Sequence, residues 1–177
     1  MKCEERMFSL CGLACCLCPM RHISEENHCT GCGGKERSVC AIMRCAREHG
    51  NVEYCVQCDD YPCDRYPENP LDSFIPACHV TKDFAFMKMY GVDALMEIFQ
   101  KKEIILRYLL TNFNDGRSKS FFCTAVNLLE LECVEDVYHQ LLKIDLCPNQ
   151  KEKAKQARKL LQSAADQCGI SLKLKKK

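Results

Sequence analysis

The residues most able to do chemistry in this chain are its cysteines, and most of them lie towards its N-terminal end. The chain has 177 residues, of which 17 are cysteines. Ten of these occur at short, paired spacings: Cys11-x3-Cys15-x2-Cys18, Cys29-x2-Cys32, Cys40-x4-Cys45 and Cys55-x2-Cys58-x4-Cys63. A C-x2-C step lets two thiolates reach one ion from a tight turn, and two further cysteines complete a tetrahedron. The pattern therefore predicts metal binding, with all ten of these cysteines as ligands.

The spacing does not determine how the ten cysteines are divided among metal ions. One division forms a single four-thiolate site from Cys29, Cys32, Cys40 and Cys45, and an interleaved division fits the spacings equally well. Ten thiolates fill two complete sites with two thiols left over, or three sites if Cys16 or a histidine supplies further ligands. Among the histidines, His49 is a candidate ligand because it follows Cys45 closely. We therefore expect two or three zinc ions.

The cysteine-rich stretch lacks the large apolar side chains that would hold it together without such cross-links. No phenylalanine occurs between Phe8 and Phe74, and the chain has no tryptophan. A segment this poor in apolar surface needs metal ions or disulfides for stability. The odd number of cysteines and a polar start unlike a secretory signal peptide predict a cytoplasmic protein with reduced thiols. Metal is therefore favoured over disulfides.

Two other functions of the cysteines stay open as alternatives. The first triplet, from Cys11 to Cys18, has the spacing with which radical-SAM enzymes hold a [4Fe–4S] cluster, and Pro19 follows as in ferredoxins. Such enzymes need a long run of alternating strands and helices, which the sequence after residue 80 does not show. An iron–sulfur redox or sensing protein of another kind is the first alternative. The second is soft-metal handling, in which surplus thiols such as Cys16 take up and pass on metal.

Nothing in the sequence indicates a catalytic activity. The chain contains no G-x-S-x-G, no phosphate-binding loop and no H-E-x-x-H, although a cysteine and a histidine that meet only in space would escape this search. The net charge of +1 and the few aromatic residues among the cysteines disfavour nucleic-acid binding. A protein partner stays open, as does the oligomeric state. No stretch approaches the ~18 apolar residues of a membrane span.

The elements that must position the cysteines fall into three predicted regions: a cysteine-rich part at 1–66, a proline-rich connector at 67–80 and a helical part at 81–177. Apolar residues in the helical part recur at helical spacing and predict four helices. The first should end near Asp115 and Gly116, Ser118 or Ser120 should cap the second, and the last should begin near Pro148. After Gly169 an alternating pattern predicts one short strand, formed by Ile170, Leu172 and Leu174.

These elements together predict an α-rich fold. A loop-rich, metal-stapled N-terminal part should pack on the C-terminal helical part, with at most a short strand. The remaining cysteines, Cys78, Cys123, Cys133, Cys147 and Cys168, show no pairing in the sequence, and core filler is the expectation for them.

The cysteine pattern also resembles a known family of small bacterial and archaeal proteins, a domain of unknown function to which zinc binding is ascribed. The matching residues are Cys11-Gly12-Leu13-x-Cys15-x2-Cys18-Pro19, Cys29-x-Gly31-Cys32, Cys40-x-Ile42-x2-Cys45-Ala46 and Cys55-x2-Cys58-x2-Tyr61-Pro62-Cys63. Cys16 is an extra thiol beyond that pattern. The resemblance implies a metal-binding module in a prokaryotic cytoplasm and implies no reaction. We therefore expect a zinc-binding protein with a structural or interaction role.

Overall fold

Six α-helices form the framework of the protein in the computed structural model, which describes residues 7–24, 26–32, 39–66, 70–144 and 149–176. They are α1 (Ala41–Glu48), α2 (Val80–Tyr90), α3 (Val92–Asn112), α4 (Lys119–Leu128), α5 (Leu131–Leu142) and α6 (Gln150–Gln167). Two 3-10 turns precede α2 in the chain, at Cys15–Leu17 and Cys55–Gln57. No strand occurs within those ranges, so the α-rich class of the fold is confirmed.

Helix α3 is the centre of the fold, because α2, α4, α5 and the first 3-10 turn all pack on it. Its buried side chains, among them Leu95, Phe99, Leu106 and Leu109, recur at helical spacing and form one apolar face. Helix α6 closes the bundle by packing on α4 and α5. Gly91 separates α2 from α3 with a φ of +91°, a conformation that only glycine adopts readily.

The turn between α3 and α4 agrees with the sequence. Helix α3 ends just before Asp115 and Gly116, as predicted. Ser118 is the N-cap residue of α4, as one of the two predicted positions, although its side chain makes no capping hydrogen bond. The turn before the helix is held by Asp115, whose Oδ1 accepts hydrogen bonds from the backbone N–H groups of Arg117 and Ser118, both at 3.0 Å.

Helix α6, in contrast, begins with a side-chain cap from its N-cap residue, Asn149. The side chain of Asn149 accepts a hydrogen bond from the Lys151 N–H at 3.0 Å. This Asx cap satisfies one of the N–H groups that a helix start leaves without a partner. Pro148, near which this helix was predicted to begin, lies outside the described residues.

The short C-terminal strand predicted from Ile170, Leu172 and Leu174 is wrong. These three side chains are partly buried and alternate with exposed ones, so the alternation itself is real. Ile170 and Leu172 pack against the helical core, and the Ile170 N–H donates to Ala165 O of α6 at 2.8 Å. Further along, the segment is joined to Asp72 of the connector. Asp72 donates its N–H to Lys175 O (3.0 Å) and accepts the Lys175 N–H on its carboxylate (2.6 Å). A segment that packs every second side chain on helices shows the same alternation of apolar and polar residues as a strand in a sheet.

The N-terminal residues pack directly on the helices. The ring of Phe8 is almost fully buried and lies 5.6 Å from that of Phe99 in α3 and 4.7 Å from that of Tyr54. Leu17, in the first 3-10 turn, is fully buried in the same cluster. The backbone around Gly12 lies against Val80 and Phe84 of α2. The cysteine-bearing loops therefore rest on the start of the helical bundle.

A lysine in α3 is buried at the end of α4. Lys102 is 7% exposed, and its Nζ donates to Leu129 O (2.6 Å) and Asn127 O (3.4 Å). Carbonyl groups at a helix C-terminus carry partial negative charge and have no partner within the helix. The ammonium group therefore caps α4, and burial lowers its pKa.

Acidic groups surround this lysine. Burial raises the pKa of Asp83 to about 6, and the charges of Lys102 and Lys82 oppose the rise. Lys82 also forms an ion pair with Glu130. The charged side chains between α2, α3 and the α4–α5 connection therefore largely compensate one another.

Candidate metal centre

The first candidate metal centre begins at the 3-10 turn Cys15–Leu17, which places two cysteines one above the other. The N–H of Cys18 donates to Cys15 O at 3.1 Å. Side chains three residues apart eclipse in a 3-10 turn, so the C-x2-C step puts both thiols on one side. The N–H of Cys16 donates to Met7 O at 2.9 Å and fixes the turn to the preceding segment.

The chain then returns to this turn and brings the next C-x2-C pair beside it. Arg21 donates its N–H to Cys18 O, and Cys29 donates its N–H to Met20 O, both at 2.9 Å. In the second pair the N–H of Gly31 donates to Cys29 Sγ at 3.4 Å. Gly31 has a φ of +81°, as this tight turn requires.

Four thiols thereby converge on the Cys15 thiol. Its pKa is raised to about 12, first by burial and then by the charges of Cys32, Cys11, Cys18 and Cys29, in that order of effect. Such charge interactions weaken with distance, so both C-x2-C pairs share one neighbourhood. A bound divalent cation would offset this repulsion and hold the thiols deprotonated.

Cys16 takes no part in this convergence. Its side chain is fully buried among apolar residues, and burial raises its pKa. In the other 3-10 turn, Cys55–Gln57, Val56 occupies the position that corresponds to Cys16 and is likewise buried. Cys16 is therefore a core residue, and Cys15 faces the other thiols.

The second candidate centre is built on the other 3-10 turn, Cys55–Gln57. The N–H of Cys58 donates to Cys55 O at 3.0 Å, which repeats the geometry of the first turn. Gln57 Oε1 accepts the N–H groups of Glu53 (3.1 Å) and Tyr54 (3.0 Å) and so fixes the turn from its start. Both C-x2-C steps of this kind in the described residues are therefore held by local hydrogen bonds.

A small cavity of about 20 Å³ opens beside this second turn. Four of the side chains that line it are Cys45, Cys55, Cys58 and Cys63. The space is about that of a single water molecule. It is thus large enough for one ion and too small for an organic substrate.

Two tyrosine hydroxyls are buried near this cavity. Burial raises the pKa of Tyr66, and hydrogen bonding to the Cys55 thiol adds to the effect. Burial also raises the pKa of Tyr61, whose Oη has no hydrogen-bond partner in the described part of the chain. Ionised thiolates accept hydrogen bonds more strongly than thiols do. Thiolates held by a metal would therefore be better acceptors for these hydroxyls than the neutral thiols.

A cation also lies at the second group. The pKa of the Arg65 guanidinium is raised, first by hydrogen bonding to the Cys45 thiol and then by the Cys45 charge. Arg65 is fully exposed, so this contact is at the rim of the site. An arginine here suits a group of thiolates, whose negative charge exceeds that of the ion they hold.

A histidine and a carboxylate complete the surroundings of Cys58. His49, Cys58 and Asp60 place one ligand atom each within 4.8 Å of one another, and within the described ranges this is the one set of three that does so. His49 Nδ1 lies 3.1 Å from Asp60 Oδ2. A carboxylate on one ring nitrogen fixes the tautomer and orients the other nitrogen towards a metal. The Sγ atoms of the first group are neighbours, but no three of them lie within 4.8 Å of one another.

Cys11 lies between the two groups, and Cys40 lies on the surface at the start of α1. The charge of Cys11 acts on both Cys15 and Cys55, because Leu10 O accepts the Cys55 N–H at 3.0 Å. Cys40 is exposed at the start of α1, and its Sγ accepts the Met43 N–H at 3.4 Å. The structure thus brings eight cysteines together in two groups of four, with Cys11 adjoining both groups, and leaves Cys40 apart from them.

The later cysteines differ from one another in their surroundings. Cys123 is fully buried, as expected for core filler, but the same expectation is wrong for Cys78 and Cys168, which are exposed. Cys133 and Cys168 lie next to each other, with Sγ atoms 3.7 Å apart. The sequence does not show this last pair because the two residues lie on different helical elements. Cys147 lies outside the described residues.

Comparison with protein-family models, with curated proteins and with solved structures finds no match for the chain. In the part of the chain that the structure describes, no helix combines the length and apolar character needed to cross a membrane.

Proposed function

We propose that the cysteine-rich part binds zinc through two groups of thiolates and has a structural or interaction role without catalysis of its own. The ions would hold the loops of residues 7–66 in the arrangement that packs on α2 and α3. The thiols, the turns that orient them and the absence of a recognisable catalytic motif support this role. The family resemblance of the cysteine pattern points the same way.

One observation carries the proposal: the two C-x2-C pairs of the first group are brought together by backbone hydrogen bonds. Because Cys29 N–H binds Met20 O, the second pair starts beside the end of the first. This gives the first site the ligands Cys15, Cys18, Cys29 and Cys32. Four thiolates in two tight turns are the usual ligand set of a structural zinc site.

The second site would use the thiols around the small cavity, which are Cys45, Cys55, Cys58 and Cys63. His49 replaces one of them if the ion sits towards Asp60. Cys11 and Cys40 then remain as the two thiols left over from the ten predicted ligands. We accordingly expect two zinc ions per chain in a cytoplasmic protein that keeps its thiols reduced.

Elemental analysis and an absorbance spectrum of protein purified without oxygen test the metal. Two zinc ions per chain and no visible absorbance support the proposal. Iron with matching sulfide and a brown colour would overturn it in favour of an iron–sulfur redox or sensing protein. The closeness of both Cys11 and Cys18 to Cys15 is the observation that favours this second candidate.

Single substitutions test the ligands. Cys18→Ser should remove about one zinc ion per chain, because three thiolates bind zinc less tightly than four. Cys78→Ser is the matched control, since Cys78 is exposed and distant from both groups in the sequence. Full zinc content in the Cys18→Ser protein would contradict the assignment of the first site.

Metal removal separates a structural role from metal handling. Ligand binding in such a site is folding free energy, so a chelator should lower the melting temperature and the ellipticity of the protein together. Rapid, reversible exchange of metal with unchanged melting would refute the structural role and support soft-metal handling. Cys58→Ser should act like the chelator on the second site.

A further inference from the structure

A pair of thiols outside the cysteine-rich part lies between α5 and α6. Cys133 is in the first turn of α5, and Cys168 is the residue at which α6 ends. Their Sγ atoms are 3.7 Å apart, although 35 positions separate them in the chain. Cys133 is partly buried against the core, whereas Cys168 is exposed. The pair is accessible from solvent on one side.

The packing of the two helices holds these thiols together. Helices α5 and α6 pack on each other, and both bury apolar side chains in the core, among them Val134 and Val137 of α5 and Leu161 and Ala165 of α6. The chain leaves α6 immediately after Cys168, where Gly169 donates its N–H to Asp166 O at 3.1 Å. The two Cα positions are therefore fixed by the core rather than by the thiol contact.

The surroundings of the pair do not suit a metal ion. A zinc site needs three or four ligands, and in the described residues the set of three ligand atoms within 4.8 Å lies elsewhere, at His49. Two adjacent thiols without further ligands have one other common chemistry, which is disulfide formation.

We propose that Cys133 and Cys168 are a site of reversible oxidation at which a disulfide forms between α5 and α6. The Sγ atoms must approach each other by about 1.7 Å to reach the bonded distance, and rotation of the exposed Cys168 side chain can supply this movement. Closure cross-links the first turn of α5 to the end of α6. It leaves the thiols of the two metal groups unchanged.

The oxidant is a small-molecule disulfide, and exchange proceeds in two steps. The Cys168 thiolate attacks one sulfur of the oxidant, forms a mixed disulfide and releases one thiolate. The Cys133 thiolate then attacks the Cys168 sulfur and releases the second thiolate of the oxidant. Two protein thiols lose two electrons and two protons, and one disulfide is reduced to two thiols. Cys168 reacts first because it is the exposed member of the pair.

Equilibration of the full-length, metal-loaded protein in glutathione buffers of increasing oxidation tests the proposal. Remaining thiols are alkylated, and the linked peptides are identified by mass spectrometry while metal content is measured in parallel. We expect a peptide that joins Cys133 to Cys168 under conditions in which the metal content is unchanged. The melting temperature should rise by about 5–15 °C on oxidation.

Three variants complete the experiment. Cys133→Ser and Cys168→Ser should both abolish the rise in melting temperature, whereas Cys78→Ser should keep it. Alkylation of Cys133 and Cys168 at every glutathione ratio would overturn the proposal. So would a disulfide recovered between other cysteines, or metal loss that precedes closure of this pair.

Discussion

Replacement of Gly12 by alanine is the most direct test of how the cysteine-rich loops rest on the helices. Gly12 has a φ of +87°. A Cβ atom at this position would lie 2.7 Å from Val80 Cγ1 and 2.8 Å from Phe84 Cζ. Both distances are well inside van der Waals contact. The Phe84 ring is itself fully buried and packs on the Tyr61 ring at 5.3 Å, so it has little room to withdraw.

The expected cost has two parts. An L-residue in the left-handed region costs about 1–2 kcal/mol relative to glycine. Insertion of a methyl group into a filled core costs about 1–3 kcal/mol. Gly12→Ala should therefore lower the free energy of unfolding by about 2–5 kcal/mol.

Gly116→Ala separates the two parts. Gly116 has nearly the same φ, +86°, but an added Cβ would meet no atom within 4 Å. This variant should lose only the backbone part, about 1–2 kcal/mol. The difference between the two variants then measures the contact with α2 alone.

Urea denaturation of both metal-loaded variants, followed by circular dichroism, gives the two free energies of unfolding. Metal content is measured on the same samples, so that a loss of ligands is recognised separately from a loss of packing. Equal destabilisation of the two variants would refute the reasoning, because it would mean that the Gly12 loop does not lie against α2.

Three further predictions concern single residues of the sites and of the core. Cys15→Ala should lose about one metal ion per chain, whereas Cys16→Ala should keep the full metal content and lose about 1 kcal/mol of stability. Elemental analysis measures the metal content and urea denaturation the stability. Equal metal loss in the two variants would contradict the assignment of Cys16 to the core. Lys102→Met should destabilise the protein by about 1–3 kcal/mol in urea denaturation, because two carbonyl groups at the end of α4 lose their donor. The control Lys101→Met, on the exposed face of α3, should change stability by less than about 0.5 kcal/mol. Burial raises the pKa of Asp83 to about 6, so its ionisation destabilises the folded state as pH rises from about 4 to about 6. The stability of Asp83→Asn relative to the native protein should therefore increase by about 0.5–1 kcal/mol between pH 5 and pH 7.5, after allowance for partial exposure, and a flat difference between the two pH curves would contradict this.

Helices α3 to α6 could be predicted because their apolar residues recur at a spacing that only a helix brings to one face, whereas α1 and α2 were not predicted. The repeat that includes Leu95, Phe99 and Leu106 is such a case. The C-terminal alternation could not be assigned in the same way, because Ile170 and Leu172 pack on helices and a strand shows the same alternation. A strand pairs with another strand, whereas this segment packs on helices, and a single sequence does not show which segments will lie next to each other.

The candidate sites show the same limit. The C-x2-C steps predicted where thiols are paired, because the geometry of a tight turn is local. The partition into groups depends on contacts such as the Cys29 N–H to Met20 O hydrogen bond, which no spacing reveals. Asp60 and Arg65 were not singled out, since a charged residue near a cysteine is common on any surface. Cys16 could be assigned to the core only from its burial beside Leu17.

The contact of Gly12 with α2 also has a consequence for the order of events while the chain is being made. Val80 and Phe84 follow Gly12 by roughly 70 residues, so at typical rates of synthesis they leave the ribosome about 4–14 s later. The two 3-10 turns need only adjacent residues and can form as soon as they emerge. The surface that supports them does not yet exist at that time. During those seconds the nascent thiols have no apolar support, and under the proposed function an ion captured then would hold the loops ready for docking when α2 emerges.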